Sequence, residues 1–316
     1  MRPSTFRPQA FAAPALTLRT VGDLLSRYAQ EILPRKARAT QLQQRSVFAV
    51  IDHDLGEVAL TDLTPALLRQ WRDDLLTRYP VETGTARRYI MCFSSALTAA
   101  VREYEVLAEN PLRKVQMPPA NRGRVRFLTD SERERLLVAC QESRNPSLYL
   151  LVLLALTTGA RKEELRTLRW RQIDLERGLI QLEQTKNGER RTLILTGQAL
   201  TVLRGWRLRD RAPDAWLFPS RKYDLHAPTQ MSIAFRHACK RAGISNFRFH
   251  DLRHTAASYL AMSGASLLDI GEVLGHKQMN VTKKYAHLTN HHIRGVVERM
   301  TERFDLDQRP QEPREA

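Results

Sequence analysis

One short stretch of this 316-residue chain alternates like β-structure: residues 179–185 and 191–196 set apolar against polar side chains on either side of Asn187-Gly188, the strongest short hairpin signal. Around it the apolar residues fall at helical spacing. Val21, Leu24, Leu25 and Tyr28, then Leu67, Leu68 and Trp71, then Ile90, Phe93, Ala96 and Leu97 predict helices across 18–116, with no competing strand pattern. Asn110-Pro111 ends the last of these, and the basic, Pro- and Gly-bearing stretch 117–126 reads as a linker. A second domain, 127–306, opens on the capping pair Thr129 and Glu132 and passes into 148–158, apolar on nearly every face, with Gly159 placed to close that helix. Further helices are predicted over about 228–242 and 250–262, and Ser266 with Asp269 opens a short one. Residues 1–17, interrupted by Pro8 and Pro14, read as a disordered leader, and 307–316 as a charged tail. The fold class expected is mainly α: a helical bundle followed by an α-rich domain with one small β-hairpin.

Charge narrows the partner. The net charge of +16 divides as +4 over residues 1–120 and +12 over 121–316, an excess that attracts polyanions. Cys92, Cys140 and Cys239, odd in number and far apart, argue against a disulfide framework and for a reducing compartment. The longest apolar run, 148–156, is far short of the roughly 20 residues a bilayer span needs. A soluble, cytoplasmic protein is expected.

Six dispersed residues suggest the chemistry. Arg161 lies in Thr158-Gly159-Ala160-Arg161-Lys162-Glu163-Glu164-Leu165, Lys186 beside the hairpin turn, His250 and Arg253 in His250-Asp251-Leu252-Arg253-His254, His276 in Leu274-Gly275-His276-Lys277, and Tyr285 in Lys284-Tyr285-Ala286-His287-Leu288. A phosphodiester under attack gains charge on its nonbridging oxygens, and the planar forks of Arg161 and Arg253 suit a clamp on that charge. At i and i+3 of one helix, His250 and Arg253 share a face. The imidazoles of His250 and His276 can donate or exchange a proton near neutral pH. Tyr285 can serve as nucleophile if its proton is removed and its oxygen held in line, and Lys186 can protonate a departing 5′-hydroxyl. A covalent phosphotyrosine keeps the energy of the broken diester, so rejoining needs no ATP, and the chain has no Walker-type phosphate loop; the scheme needs no metal either. It does need a phenol that is not buried within a hydrophobic interior, and guanidinium groups that do not point toward opposite sides of the molecule with no hinge to reunite them.

These motifs, in this order and at similar spacing, resemble the tyrosine recombinase (phage integrase) family from about Arg126 to Leu288, with a looser match through the first domain. The resemblance implies that Arg161, His250 and Arg253 bind and activate the scissile phosphate, that Lys186 is the general acid, and that His276 supports phosphate and nucleophile. Tyr285 would form the 3′-phosphotyrosine link, with Glu164 orienting and Leu168 and Trp170 packing. It further implies a core-binding domain at 18–116 and a catalytic domain at 127–306, closing on opposite faces of a double-stranded DNA recombination site. In layout the chain resembles two-domain members without an arm-binding domain. Arg87, Arg88, Arg122, Arg124 and Arg126 are the candidates for DNA backbone contacts. A stripe of Ile293, Val296, Val297, Met300 and Phe304 suits docking on a neighbouring protomer, so the expected assembly is a monomer or weak dimer that becomes a homo-tetramer in the synapse, with accessory DNA-bending proteins possible.

Other classes remain open at this point. A type IB topoisomerase-like enzyme would use the same chemistry without exchanging partners. A zinc hydrolase could use His250 and His254 at i and i+4 with His276, His287, His291 or His292, although the pair lacks the Glu of the usual zinc-helix motif. A catalytically dead DNA-binding protein would have no need of all six residues.

Overall fold

The computed structural model describes residues 18–78, 82–120, 126–183, 190–207, 212–220, 227–276, 278–288 and 290–304. Lys186, Arg122, Arg124, the leader and the tail lie outside them. By internal contacts the chain divides into two compact units, Met1–Gly123 and Arg124–Ala316.

The first unit is built on four helices, α1 (Val21–Glu31), α2 (Arg38–Leu55), α3 (Pro65–Arg78) and α4 (Thr83–Arg102). Thr20 opens α1 with a reciprocal capping box: its hydroxyl accepts from the Asp23 amide at 3.2 Å while the Asp23 carboxylate accepts from the Thr20 amide at 3.0 Å. Each helix turns its apolar stripe inward. Leu24 and Tyr28, Val47 and Ile51, Leu68 and Leu75, and Ile90, Phe93 and Leu97 form one core. Trp71 meets the Phe93 ring edge-on at 5.5 Å and donates its indole N–H to Asp54 at 3.0 Å, so its polar end is satisfied where its body is buried.

The second unit wraps a central helix. After α5 (Asp130–Gln141), α6 (Ser147–Thr158) buries Leu148, Leu150, Leu151, Val152, Leu153 and Leu154, which leaves almost no polar face. Each of these side chains contributes about 1.5–3 kcal/mol of burial, so α6 is the element on which the others rest. Thr129 and Glu132 form the predicted capping box, and the Leu128 amide donates to Thr255 Oγ1 at 3.1 Å, fixing the entry to α5. A short α7 (Lys162–Arg166) leads to a three-stranded antiparallel sheet, β1 (Ile173–Asp174), β2 (Leu179–Leu182) and β3 (Arg191–Ile194), with Leu182 opposite Arg191. Strands β2 and β3 pair antiparallel as their alternation predicts, with Asn187-Gly188 outside the described residues; β1, two residues long, adds an edge. Among the described residues five more helices follow: α8 (Gly197–Arg207), α9 (Ser232–Arg241), α10 (Asp251–Met262), α11 (Leu267–Leu274) and α12 (Met279–Thr282). A 3-10 turn, Lys283–Leu288, and α13 (Asn290–Arg303) end the described chain. Val297, Met300 and Phe304 of the terminal stripe are exposed. Among the described residues no helix is long and apolar enough to cross a membrane.

Candidate active site

The site begins where α6 stops. Gly159 closes the helix at φ +61°, and a Cβ there would collide with the Leu274 side chain, so glycine is needed both for the left-handed turn and for the approach of α11. Its carbonyl accepts from Arg253 Nη1 at 2.8 Å. Two residues on, Arg161 adopts an extended backbone ahead of α7; its amide donates to Glu164 Oε2 at 2.9 Å and its Nη1 to Oε1 at 2.7 Å. The Arg161 side chain is 26% exposed against 6% for Glu164, so the pair presents its positive member to solvent. Burial alone would raise the Glu164 carboxyl, but the bonds from Arg161 and the charges of Arg191 and Arg161 hold it below the usual carboxylate range.

Helix α10 supplies the next groups. His250 stands at its N-cap, exposed, and Arg253 lies one turn further on, 5% exposed. Burial and the like charges of Arg161 and Arg191 push the Arg253 guanidinium down to about 10. That cationic crowding is what an anion would relieve. Partial desolvation, with Arg253 and Lys284 nearby, also lowers the His250 imidazole. At the far end of α11, Gly275 turns at φ +66° and delivers His276, whose Nδ1 pairs with Thr282 Oγ1 at 2.8 Å. Desolvation, then Arg253, brings the His276 imidazole to about 4.

Tyr285 is where the structure departs from the sequence expectation. Its ring is 1% exposed, packed with Ala257, Ala261, Ile270 and Leu274, and its hydroxyl lies 2.5 Å from His254 Nδ1. Burial raises the phenol to about 12, with Arg253 opposing. His254 is lowered to about 4, by burial first and then by Lys284 and His250. Burial thus disfavours the charged form of both partners, and the hydrogen bond joins a neutral phenol to a neutral imidazole. The guanidinium groups converge as required, but the phenol is covered. An attacking atom must come within about 3–3.5 Å of phosphorus. A Tyr285 that acts on a phosphate therefore requires the turn Lys283–Leu288 to shift first.

The histidine pair has a consequence for stability. His254 is surrounded by Lys284, His250, Asp251, Arg253 and Tyr285. Above pH 6.5 the folded and unfolded states both hold His254 and His276 neutral; as pH falls from 6.5 to about 4 the unfolded chain takes up protons that the folded site refuses, so stability is lost through that window. For buried His254 the loss amounts to roughly 3 kcal/mol. The denaturant midpoint is expected to fall between about pH 7 and pH 4.5, and His254→Phe to remove part of that fall; an unchanged slope in the variant would contradict this assignment.

Of the groups read from sequence, Arg161, His250, Arg253, His276 and Tyr285 are brought together. In the first unit, Arg87 Nη1 donates to the Pro118 carbonyl at 2.8 Å and exposed Arg88 lies over the Tyr89 ring at 5.9 Å. Arg126 pairs with Glu132 at 2.5 Å and stacks over Phe247 at 5.4 Å. Among the described residues no three His, Cys, Asp or Glu side chains come together as a metal site. His254, offered by its spacing as a metal ligand, has its Nδ1 on the Tyr285 hydroxyl. Lys284, quoted from sequence only as the residue before Tyr285 and half-buried with its Nζ 5.2 Å from that ring's centre, and Arg191 also lie at the site, and neither was singled out from sequence. The alternation of β3 signals Arg191: it falls on the face of Leu193 and Leu195, which are buried, and an inward arginine requires a partner.

Residues 126–292 match the phage integrase family. Over 228 residues the chain is 34% identical to the integrase of Salmonella phage P22, covering 68% of this chain and 56% of that one, so it spans little more than half of that relative's length. Among solved structures it is similar to the Tn1549 transposon integrase in complex with a circular intermediate DNA, with a TM-score of 0.72, 17% identity, and coverage of 89% of this chain and 99% of that one. A lambda integrase tetramer bound to a Holliday junction also aligns, with a TM-score of 0.65, 23% identity, and coverage of 82% and 78%. These likenesses show a shared mainly helical fold with a small sheet.

Proposed function

The chain belongs to the phage integrase family, and from that membership we propose that it is a site-specific tyrosine recombinase, breaking and rejoining duplex DNA through Tyr285. The observation that supports this best is the convergence of Arg161 and Arg253, with His250 and His276, beside the one tyrosine of the cluster. In this reading the two guanidinium forks bind the nonbridging oxygens and His250 and His276 share the phosphate's remaining hydrogen bonds. The phenolic oxygen attacks phosphorus as its proton passes to one of the two neutral imidazoles, His250 or His276, the bond to the 5′-oxygen breaks, and that oxygen takes a proton from Lys186. The 3′-phosphotyrosine then yields to attack by a 5′-hydroxyl, which restores the diester and frees the phenol. No metal or nucleotide enters these steps.

The same proposal extends to organisation. Residues 18–116 form a core-binding domain, 117–126 a linker and 127–306 the catalytic domain. Arg87, Arg88, Arg122, Arg124 and Arg126 contact the DNA backbone, which would give steep salt dependence with little base discrimination. The exposed Val297 and Met300 of α13, with Phe304 just after it, dock on a neighbouring protomer in a tetrameric synapse. The lambda integrase tetramer on a Holliday junction supports that assembly. The enzyme acts on cytoplasmic DNA, with accessory DNA-bending proteins where the site requires them.

The test is a nicked suicide duplex drawn from the flanking DNA, followed by denaturing electrophoresis and mapping of the linked residue. An adduct at Tyr285 supports the reading, and an adduct elsewhere or none overturns it. Strand exchange between two marked duplexes separates recombination from supercoil relaxation alone. Lys186→Ala is expected to slow cleavage by about 10²–10⁴-fold and to recover to within about tenfold on a duplex whose scissile 5′-oxygen is replaced by sulfur, since a thiolate leaves without protonation. Failure of that recovery would give Lys186 a positioning role instead.

A further inference from the structure

We infer that Arg191 is a positioning residue for the phosphate clamp, acting on Arg161 through Glu164 and on the His276 turn through the Leu274 carbonyl. The inference rests on the reading that this site cleaves a phosphodiester.

The geometry places one guanidinium between three parts of the site. Arg191 Nη2 donates to Glu164 Oε2 at 3.0 Å, while the other carboxylate oxygen accepts from Arg161 Nη1 at 2.7 Å. Arg191 Nη1 donates to the Leu274 carbonyl, the last of α11. Its Nε is buried and has no hydrogen-bond partner among the described residues, so Glu164 and Leu274 hold the head group between them. The side chain is 11% exposed, and burial lowers its guanidinium below the ordinary arginine range. A buried cation is retained only where its partners satisfy it, and Glu164 at 3.0 Å supplies the opposite charge here.

Two details show how the fold makes room for this contact. A Cβ on Gly275 would fall 2.6 Å from Arg191 Nη1 and 2.7 Å from its Cδ, so the backbone that precedes His276 is bare where the arginine crosses it. Arg161 Nη2 reaches the neighbouring Gly275 carbonyl at only 3.5 Å, a weak contact that leaves this edge of the fork open to an incoming oxygen. Glu164 divided between two arginines engages one edge of Arg161. If Arg191 is removed, Glu164 Oε2 loses a cationic partner and turns toward Arg161, and the Arg161 fork is drawn onto protein in place of phosphate. The Leu274 carbonyl loses its donor in the same step, which loosens the turn ahead of His276. Arg191 also follows Lys186 by five positions, so it anchors the strand that returns from the hairpin turn.

The experiment compares single-turnover adduct formation by the full chain on two suicide duplexes, one with a normal scissile phosphate and one with a methylphosphonate there. A methylphosphonate has lost the charge that the clamp serves. Arg191→Met is expected to be slowed about 10- to 100-fold on the phosphodiester and to stay within about fivefold of wild type on the methylphosphonate. Equal losses on both duplexes, or no loss on either, would overturn the inference, since a weakened fold slows both alike. If the methionine variant does not fold, Arg191→Lys decides. It keeps the buried charge, but a single ammonium cannot span Glu164 and Leu274, so a loss of about tenfold confined to the phosphodiester supports the inference, and wild-type rates overturn it. Wild-type protein that forms no adduct at all would instead overturn the proposed function, and this inference with it.

Discussion

Tyr285→Phe is expected to bind duplex DNA with wild-type affinity and to form no protein–DNA band that survives denaturant, a fall of more than about 10³-fold in adduct yield. The substitution removes one oxygen and leaves the ring packed against Ala257, Ala261, Ile270 and Leu274, so the fold around it has little reason to change. What changes is the partner of His254, whose Nδ1 would lose the hydroxyl 2.5 Å away. A buried nitrogen left unpaired costs about 1–2 kcal/mol, which a denaturant midpoint reads directly. A modest loss of stability with full DNA binding and no adduct would therefore assign both roles of the hydroxyl at once. A surviving adduct in the phenylalanine variant would mean that another side chain attacks phosphorus, and the scheme would fail. Wild-type adduct formation should also lag behind DNA binding, because the 1% exposed ring must leave its packing first.

What was legible in the sequence was local. Thr129 with Glu132 and Ser266 with Asp269 announce their helices because a capping box is complete within four residues. Gly159 announces the end of α6 because a left-handed turn favours glycine, and Asn187-Gly188 announces the hairpin for a related reason. The residues that come together around Arg253, namely Arg161, His250, His276 and Tyr285, were singled out by residue type and order. Helix α8 starts at Gly197 with no such opening signal, and β1 is too short to alternate. The remaining gaps concern partners far away in sequence. Nothing near Arg191 reveals that Glu164, 27 positions earlier, and Leu274, 83 positions later, will share its head group. His254 reads as one half of a histidine pair on α10, yet its bond goes to a hydroxyl 31 positions on. The covering of Tyr285 was equally hidden, because it depends on how the turn Lys283–Leu288 lies against α10 and α11.

Arg161→Lys is the substitution that best separates charge from shape at this site. Lysine keeps the unit charge, and its ammonium can still satisfy Glu164, which also retains Arg191 at 3.0 Å. The buried carboxylate is therefore not orphaned, and stability should stay within about 1 kcal/mol of wild type. The second edge of the fork is what disappears. In the native side chain, Nη1 faces Glu164 at 2.7 Å while Nη2 has only the 3.5 Å approach to the Gly275 carbonyl. An ammonium drawn to Glu164 has no comparable group to turn toward a phosphate, so charge developing on a nonbridging oxygen goes unmatched from this side. Removing one such preorganised donor costs about 10²–10³-fold in rate, and the single-turnover cleavage rate of Arg161→Lys is expected to fall by that much. Overall DNA affinity, spread over many backbone contacts, should change little. Arg253→Lys provides the comparison, because its Nη1 is already committed to the Gly159 carbonyl at 2.8 Å and its side chain is buried. A lysine there must keep that carbonyl satisfied within a desolvated space, so this variant should lose stability as well as rate. Near-normal cleavage by Arg161→Lys would remove the fork from the chemistry and leave Arg161 as a partner for Glu164 alone.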